Sequence, residues 1–177
     1  AVLEACKYLV EFHGYEHRII PVSVTGLVDL EAAGQLIDAD VAVVSVMAVN
    51  NEVGTIQPVE QLAQLAHAAG AIMHTDAVQA AGWIDLKPLC AAVDALSISG
   101  HKIGSLKGSG AMYLSAKHRF VPLLHGGGQQ GGLRSGTENP AAAVGIAVAL
   151  QAATAQREAG LGENFGPYLI ERILKEL

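Results

Sequence analysis

The sequence has few of the features that mark secreted, disulfide-rich proteins. Only two cysteines occur in 177 residues, and Cys6 and Cys90 lie too far apart in the chain to suggest a disulfide framework. No charged and then apolar leader with a small-residue cleavage site opens the chain. These absences favour a reducing, cytoplasmic setting.

Long apolar runs and an excess of positive charge are also missing. The longest nearly unbroken apolar run, Val41 to Val49, is interrupted by Ser45 and is far shorter than the roughly 20 residues that span a bilayer. The formal net charge is −6 at pH 7, and 16% of the residues are charged. The sequence therefore predicts a soluble, folded and mildly acidic domain, with no membrane span and no nucleic-acid partner.

Several catalytic and ligand-binding signatures are absent as well. The run His125 to Gly128 is similar to the oxyanion loop of esterases, but the chain contains no G-x-S-x-G motif. Neither glycine-rich nucleotide-binding motif is present, including around Gly104 to Gly110. No H-E-x-x-H motif and no pair of nearby cysteines occurs. We expect neither a nucleotide nor a metal site.

What the sequence does contain is a regular alternation of apolar strands and amphipathic helices. Helices are predicted at 2–12, 29–37, 58–69, 86–92, 141–159 and 167–177, and strands at 17–22, 41–47, 71–75, 95–99 and 110–114. Asp29 is a candidate cap for the second helix, Pro58 suits the first turn of the third, and a break is predicted at 160–166. In the first helix Leu3, Cys6, Leu9 and Val10 share one face, which predicts a core position for that face. Alternating β and α elements indicate an α/β fold with a largely parallel, doubly wound sheet.

Polar residues follow several of these predicted strands directly. Asp76 follows one buried strand, the run Ser99 to Lys102 ends the next, and Asn51 lies in the loop after an earlier one. Open α/β sheets place their sites at the carboxyl ends of parallel strands. Each residue also has an ordinary structural interpretation. A lysine after a strand is often a solvated surface residue, and an aspartate at a strand end often caps the next helix. The pair Asn50-Asn51 shortly before Gly54 can form a turn.

A glycine-dense loop from 125 to 140 completes the set of candidate functional segments. Such a loop has few side chains to bury, and glycine allows backbone to approach a ligand closely. Four motifs therefore occur in a fixed order: Asn51, Asp76-x-x-Gln79, Ser99-Gly100-His101-Lys102 and Arg134-Ser135-Gly136-Thr137. Together, across residues 1–159, they resemble the cysteine desulfurases, a group of class V aminotransferase enzymes that depend on pyridoxal 5'-phosphate (PLP).

The resemblance implies a three-layer α/β/α fold like the large domain of fold-type I PLP-dependent transferases. It also implies that Lys102 binds PLP covalently and takes the substrate α-proton. Asp76 would pair with the pyridine nitrogen, and a carboxylate there keeps that nitrogen protonated. Gln79 would hydrogen-bond the phenolic oxygen of the cofactor.

The remaining implied contacts involve the cofactor phosphate and a second subunit. Ser99 and His101 would hold the phosphate, because a charged phosphate accepts strong hydrogen bonds from side-chain donors. Asn51 would lie near the phenolic oxygen and the substrate carboxylate. Thr137 would reach the phosphate of a neighbouring subunit, so the resemblance implies a homodimer. A sulfur acceptor or iron–sulfur scaffold protein would be the partner in sulfur transfer.

The chain also departs from the family pattern. The nucleophilic cysteine of the family would lie on a loop beyond Leu177, and neither Cys6 nor Cys90 matches its place. Leu106 stands where the family usually has a proline. The resemblance makes residues 1–159 part of the PLP-binding large domain and 160–177 a helical segment leading out of it, so the chain alone is expected to be inactive.

These observations predict a cysteine desulfurase that converts L-cysteine to L-alanine and passes the sulfur to a cysteine of the enzyme. Two other readings stay open. One is a selenocysteine lyase or small-amino-acid aminotransferase of the same family, which would share Lys102 and Asp76. The other is a non-catalytic scaffold with the same fold.

Overall fold

Four strands form one twisted sheet in the computed structural model, which describes residues 1–160 and 165–176. The strands are β1 Val43–Met47, β2 Ile72–Asp76, β3 Ala95–Ser99 and β4 Gly110–Leu114. They are hydrogen-bonded in chain order, with β1, β2 and β3 parallel and β4 antiparallel to β3. This arrangement confirms the predicted α/β fold with a mainly parallel sheet.

Six α-helices accompany the sheet within the described residues. They are α1 Val2–His13, α2 Leu30–Leu36, α3 Val59–Ala69, α4 Leu86–Ala92, α5 Pro140–Glu158 and α6 Gly166–Glu176. Short 3₁₀ turns occupy Gly100–Lys102 and Gln130–Gly132. The break predicted at 160–166 falls mainly on residues 161–164, which lie outside the described residues.

Local capping chemistry explains where the central helices begin and end. The Asp29 side chain accepts hydrogen bonds from the amides of Glu31 and Ala32 and so caps α2, as the sequence predicts. Gly70 ends α3 in the left-handed conformation, with φ 84°, which glycine adopts without steric cost. Pro58 occupies the N-cap of α3 and not the first-turn position that was expected.

The hydrophobic core lies between the sheet and the helices α2, α3 and α4. Helix α3 contacts β1 and β2, while α4 contacts β3. Val59 and Leu62 of α3 and Met73 of β2 are fully buried in this layer. Because β-strand side chains alternate between faces, Met73 faces α3, while His74 and Asp76 lie on the opposite face of the sheet.

Two sequence expectations about the first 30 residues are wrong. Helix α1 forms, but none of its residues is buried, and Leu3 is 56% exposed. An amphipathic pattern predicts an apolar helix face and does not specify what covers it. The run 17–22 forms no strand: Val22 makes only an isolated bridge with Val28, and Arg18 is tied to Asp38 and the carbonyl of Leu36.

Among the described residues, no helix combines the length and the apolar character that crossing a membrane requires.

Candidate active site

The carboxyl ends of β1, β2 and β3 meet at one edge of the sheet. Met47, Asp76 and Ser97 lie side by side in the strand register. The amide of Ala48 donates to the carbonyl of Asp76, and the amide of Ala77 donates to that of Ser97. The segments that leave these three strands therefore begin next to one another, as the sequence predicts for Asn51, Asp76 and Lys102.

Asp76 is the last residue of β2, and Gln79 lies in the turn that follows. The carboxylate of Asp76 is half-buried, and its Oδ1 accepts a 2.9 Å hydrogen bond from the amide of Val78. This is the only hydrogen bond to the carboxylate within the described structure, so Oδ2 can accept from a ligand. Gln79 is half-buried, and the buried Ala77 and Ala80 flank it in a tight turn.

Lys102 lies on the 3₁₀ turn that directly follows β3. The turn is built around Gly100, whose amide donates to the carbonyl of Ser109 and whose carbonyl accepts from the amides of Ile103 and Ser105. Ser99 Oγ lies 2.8 Å from His101 Nδ1, which joins the two residues expected to hold a phosphate. His101 and Lys102 are exposed, so both side chains are accessible to a ligand at this edge.

Asn51 lies at the tip of a hairpin-like loop after β1. Asn50 supports this loop, because its Oδ1 accepts from the amides of Glu52 and Val53 and its carbonyl accepts from Gly54. Asn51 itself is exposed. Its side chain makes no hydrogen bond in the described structure, so the structure places Asn51 near the sheet edge without joining it to Asp76.

Thr137 lies in the glycine-rich segment before α5. This segment is held by local contacts, in which the amide of Gly136 donates to Gln129 Oε1 at 3.0 Å and Arg134 donates to the carbonyl of Ser135. Asn139 then caps α5 by accepting from the amide of Ala142. Thr137 is exposed, and no hydrogen bond among the described residues joins it to the strand ends.

The sequence reasoning missed a histidine at the base of this site. His74 Nδ1 lies 2.8 Å from Ser45 Oγ on β1, and His74 Nε2 lies 3.0 Å from Ser97 Oγ on β3. Burial lowers the pKa of the His74 imidazole, and the nearby Asp76 carboxylate opposes that shift. The signal in the sequence was a polar residue at the centre of each of the three strands, namely Ser45, His74 and Ser97.

The environment of Cys90 disfavours its reactive form. Burial raises the pKa of the Cys90 thiol, and the negative charge of Asp85 acts in the same direction. A thiol of this kind is mostly protonated at neutral pH, whereas the thiolate is the reactive form. Cys6 is half-buried on α1.

One pair of histidines has the spacing of a helical metal-binding motif, but only the first of the two lies in a helix. His13 and His17 are four residues apart, a spacing that places two ligands on one face when both lie in a helix. Helix α1 ends at His13, and Gly14 turns the chain in the left-handed conformation. Residues 1–160 and 165–176 contain no group of three or more acidic, histidine or cysteine side chains arranged to bind a metal ion.

A second polar cluster lies at the opposite end of the sheet, where β3 begins. Asp94 is only 3% exposed, and its Oδ2 accepts from the amide of Met73 at 2.9 Å and from His67 Nε2 at 2.8 Å. Its Oδ1 accepts from His118 Nε2 at 2.8 Å. Burial by itself raises the pKa of Asp94, but these hydrogen bonds outweigh it, so the pKa lies below its usual value.

Replacing Asp94 with asparagine is expected to lower the free energy of unfolding by about 1–3 kcal/mol at pH 7, because buried donors lose a charged acceptor. The folded-state pKa is depressed, so this stabilisation is fully present above the unfolded-state pKa of about 4. It is lost as the pH falls through the lower folded-state value. Urea unfolding of both proteins at neutral and acidic pH measures the difference.

Asp40, which is exposed, provides the control for this experiment. Asp40→Asn should change the free energy of unfolding by less than about 0.5 kcal/mol, as surface substitutions usually do. A gap between wild type and Asp94→Asn that stays constant down to the acid transition would contradict the assigned role of the Asp94 charge.

The chain has an α/β fold with a lysine and a carboxylate at neighbouring strand ends. The aminotransferase class-V family matches residues 1–160. The chain belongs to this family.

Similar proteins refine this assignment. The chain is 47% identical over 153 residues to cysteine desulfurase NifS of Azotobacter vinelandii, a match that covers 86% of this chain and 38% of the relative. A solved NifS-like protein is 43% identical, with a TM-score of 0.82 over 88% of this chain and 43% of its own. A structure described as SspA in complex with cysteine is 37% identical, with a TM-score of 0.76 over 85% and 44% of the two chains.

These matches confirm the resemblance to cysteine desulfurases that the four motifs indicate. They also show how much of a relative is matched: the chain spans only about two fifths of the length of the curated relative, 38% by the alignment.

Proposed function

We propose that this chain is part of the cofactor-binding domain of a PLP-dependent cysteine desulfurase. The complete protein would convert L-cysteine to L-alanine and transfer the sulfur atom to an enzyme cysteine as a persulfide. One observation carries the proposal: Asp76 and Lys102 follow neighbouring parallel strands in a chain that is 47% identical to a named desulfurase. A similar solved structure is described as a complex with cysteine.

The donor set at the sheet edge fits PLP chemically. Oδ2 of Asp76 can accept from a protonated pyridine nitrogen, because only Oδ1 is engaged by the amide of Val78. Ser99 and His101 are adjacent donors suited to a phosphate. The Gly100 turn holds Lys102 one residue beyond them. The edge therefore offers a carboxylate for the pyridine nitrogen, donors for the phosphate and an amine for covalent attachment of PLP.

Each residue would perform a distinct part of the chemistry. Bound PLP supplies an electron sink for negative charge that develops at the substrate α-carbon. Asp76 would keep the pyridine nitrogen protonated, and Gln79 would hydrogen-bond the phenolic oxygen. Asn51 would lie near that oxygen and the substrate carboxylate. The Nζ atom of Lys102 would hold the cofactor covalently and later take the α-proton, which requires the neutral amine.

The domain boundaries and partners are also proposals. Residues 1–159 would belong to the large domain, and 160–177 would lead out of it. Thr137, exposed before α5, would contact the phosphate of a second subunit in a homodimer. The persulfide would pass its sulfur to an acceptor or iron–sulfur scaffold protein. The low cysteine content supports a cytoplasmic location.

Labelling of Lys102 tests the cofactor assignment directly. We expect borohydride reduction of the complete protein with bound PLP to leave a pyridoxyl group on Lys102, detected by peptide mapping. Lys102→Ala should lose the label. Lys107→Ala is the matched control, because Lys107 is an exposed lysine of the same loop, and it should keep the label. A pyridoxyl group on Lys107 or Lys117 would refute the assignment.

A further inference from the structure

A chain of three polar side chains crosses the sheet directly below the candidate site. Ser45 of β1, His74 of β2 and Ser97 of β3 form what we call the serine–histidine strap. The imidazole lies between the two hydroxyls, with Nδ1 2.8 Å from Ser45 Oγ and Nε2 3.0 Å from Ser97 Oγ. All three residues are half-buried. One side chain therefore links three successive parallel strands.

The strap lies on the strands that carry the site residues. His74 is two residues before Asp76 on β2, and Ser97 is two residues before Ser99 on β3. Residues two apart in a strand share one face of the sheet. His74 therefore lies on the same face as Asp76, one step further from the carboxyl edge, and Ser97 lies level with Asp76 and one step before Ser99. Ser45 extends the strap to β1, which leads into the loop of Asn51.

The chemistry of the strap suits a rigid neutral link. Burial disfavours the imidazolium form of His74, and a neutral imidazole has one donor and one acceptor nitrogen. A serine hydroxyl can fill either role. Both ring nitrogens are therefore satisfied whichever tautomer is present, and no charge is added beside Asp76.

We propose that His74 is a positioning residue for the reaction: by bridging Ser45 and Ser97, it fixes the ends of β1, β2 and β3 relative to one another and so sets the distance from the Asp76 carboxylate to Ser99 and Lys102. This inference rests on the proposed function, since it assigns the strap a role toward the PLP that these residues would bind.

The opposite face of the sheet offers a matched control. Thr75 Oγ1 donates a 2.8 Å hydrogen bond to the carbonyl of Val46 and is fully buried. This bond also ties β2 to β1, but it lies on the face packed against α3. Thr75→Val removes a cross-strand hydrogen bond next to His74 without touching the strap. A purely structural role predicts similar behaviour for substitutions on the two faces.

The first experiment measures PLP affinity and the absorbance maximum of the bound cofactor in the complete protein. We expect His74→Leu to weaken PLP binding about tenfold, which is about 1.4 kcal/mol, because two cross-strand hydrogen bonds are lost, and to shift the absorbance maximum. His74→Gln, which keeps one donor and one acceptor, should recover part of the affinity. Ser45→Ala and Ser97→Ala should each have a smaller effect, and Thr75→Val should leave both readouts unchanged.

The second experiment needs no cofactor. Amide hydrogen exchange in the complete apoprotein reports the two backbone bonds at the strand ends, from Ala48 to Asp76 and from Ala77 to Ser97. We expect His74→Leu to accelerate exchange at Ala48 and Ala77 more than Thr75→Val does, after correction for any change in global stability.

The outcomes separate this inference from the proposed function. If the wild-type protein fails to bind PLP at Lys102, the proposed function is wrong. If wild type and His74→Leu bind PLP with equal affinity and the same spectrum, the positioning role alone is wrong. Equal exchange rates at Ala48 and Ala77 in His74→Leu and Thr75→Val would also overturn it.

Discussion

Asp76→Asn is expected to slow removal of the substrate α-proton by roughly 10²- to 10³-fold, the usual loss when one preorganised electrostatic group is removed from an active site. Asparagine keeps the volume of the side chain and can still accept from the amide of Val78, as Asp76 does. It lacks the negative charge that would hold the pyridine nitrogen protonated. Exchange of the α-proton of L-alanine for deuterium, followed by NMR in the complete protein, measures the step.

Asp85 provides a close control for that substitution. Its Oδ1 accepts from the amide two residues on, Lys87, at 3.0 Å, just as Asp76 Oδ1 accepts from Val78. Asp85→Asn therefore repeats the local change away from the strand ends, and asparagine is an equally good cap for α4. We expect proton exchange at the wild-type rate. If Asp76→Asn also exchanged at that rate, the proposed role of its charge would be wrong.

Gly100→Ala is expected to lower the free energy of unfolding by about 1–3 kcal/mol, the usual effect of overpacking, and to weaken PLP binding. A methyl group at Gly100 would lie 2.3 Å from Ser109 Oγ and 3.2 Å from side-chain atoms of Ser105 and Ile146. The Gly100 backbone also holds the turn that carries Lys102 through three hydrogen bonds. Relief of the clash must therefore move Ser109 Oγ away from the Leu106 carbonyl to which it donates, or shift that turn. Thermal unfolding and PLP titration measure the two effects.

Gly34→Ala is the control that distinguishes the effect of the steric clash from the effect of replacing a glycine. Gly34 lies within α2, and its added methyl group would meet only Leu65, at 3.9 Å. Alanine also has the higher helix propensity, so stability should rise by up to about 1 kcal/mol. A Gly100→Ala protein with wild-type stability and PLP affinity would contradict the assigned packing of the turn.

Element positions could be predicted from the sequence where the local signals are strong. The bounds of β3 and α4 match the apolar runs that predicted them, and β2 is displaced by one residue. Asp29 was identified as a helix cap from its residue type and position alone. Such signals act over a few residues, through capping hydrogen bonds and backbone preferences, and they do not require knowledge of the rest of the fold.

The strand predicted at 17–22 does not form, because a β-strand is stabilised by pairing with an adjacent strand. Its apolar residues fit a strand pattern, yet only Val22 forms a bridge. Arg18 instead binds Asp38 at 2.8 Å, a contact between residues 20 positions apart that no local pattern contains. The same limit applies to α1, whose apolar face was predicted correctly while its burial was not.

The sequence by itself determined the order of the elements and placed Asp76, Ser99 and Lys102 at strand ends, because periodicity and turn chemistry are local properties. Only the tertiary structure decided the strand register, and the register is what brings Ser45 and Ser97 to the two nitrogens of His74. The tertiary structure likewise brings His67 and His118, from distant segments, to hydrogen-bond the Asp94 carboxylate. Contacts of this kind depend on how separate elements pack, since a shift of one residue in register would place each side chain on the other face of the sheet.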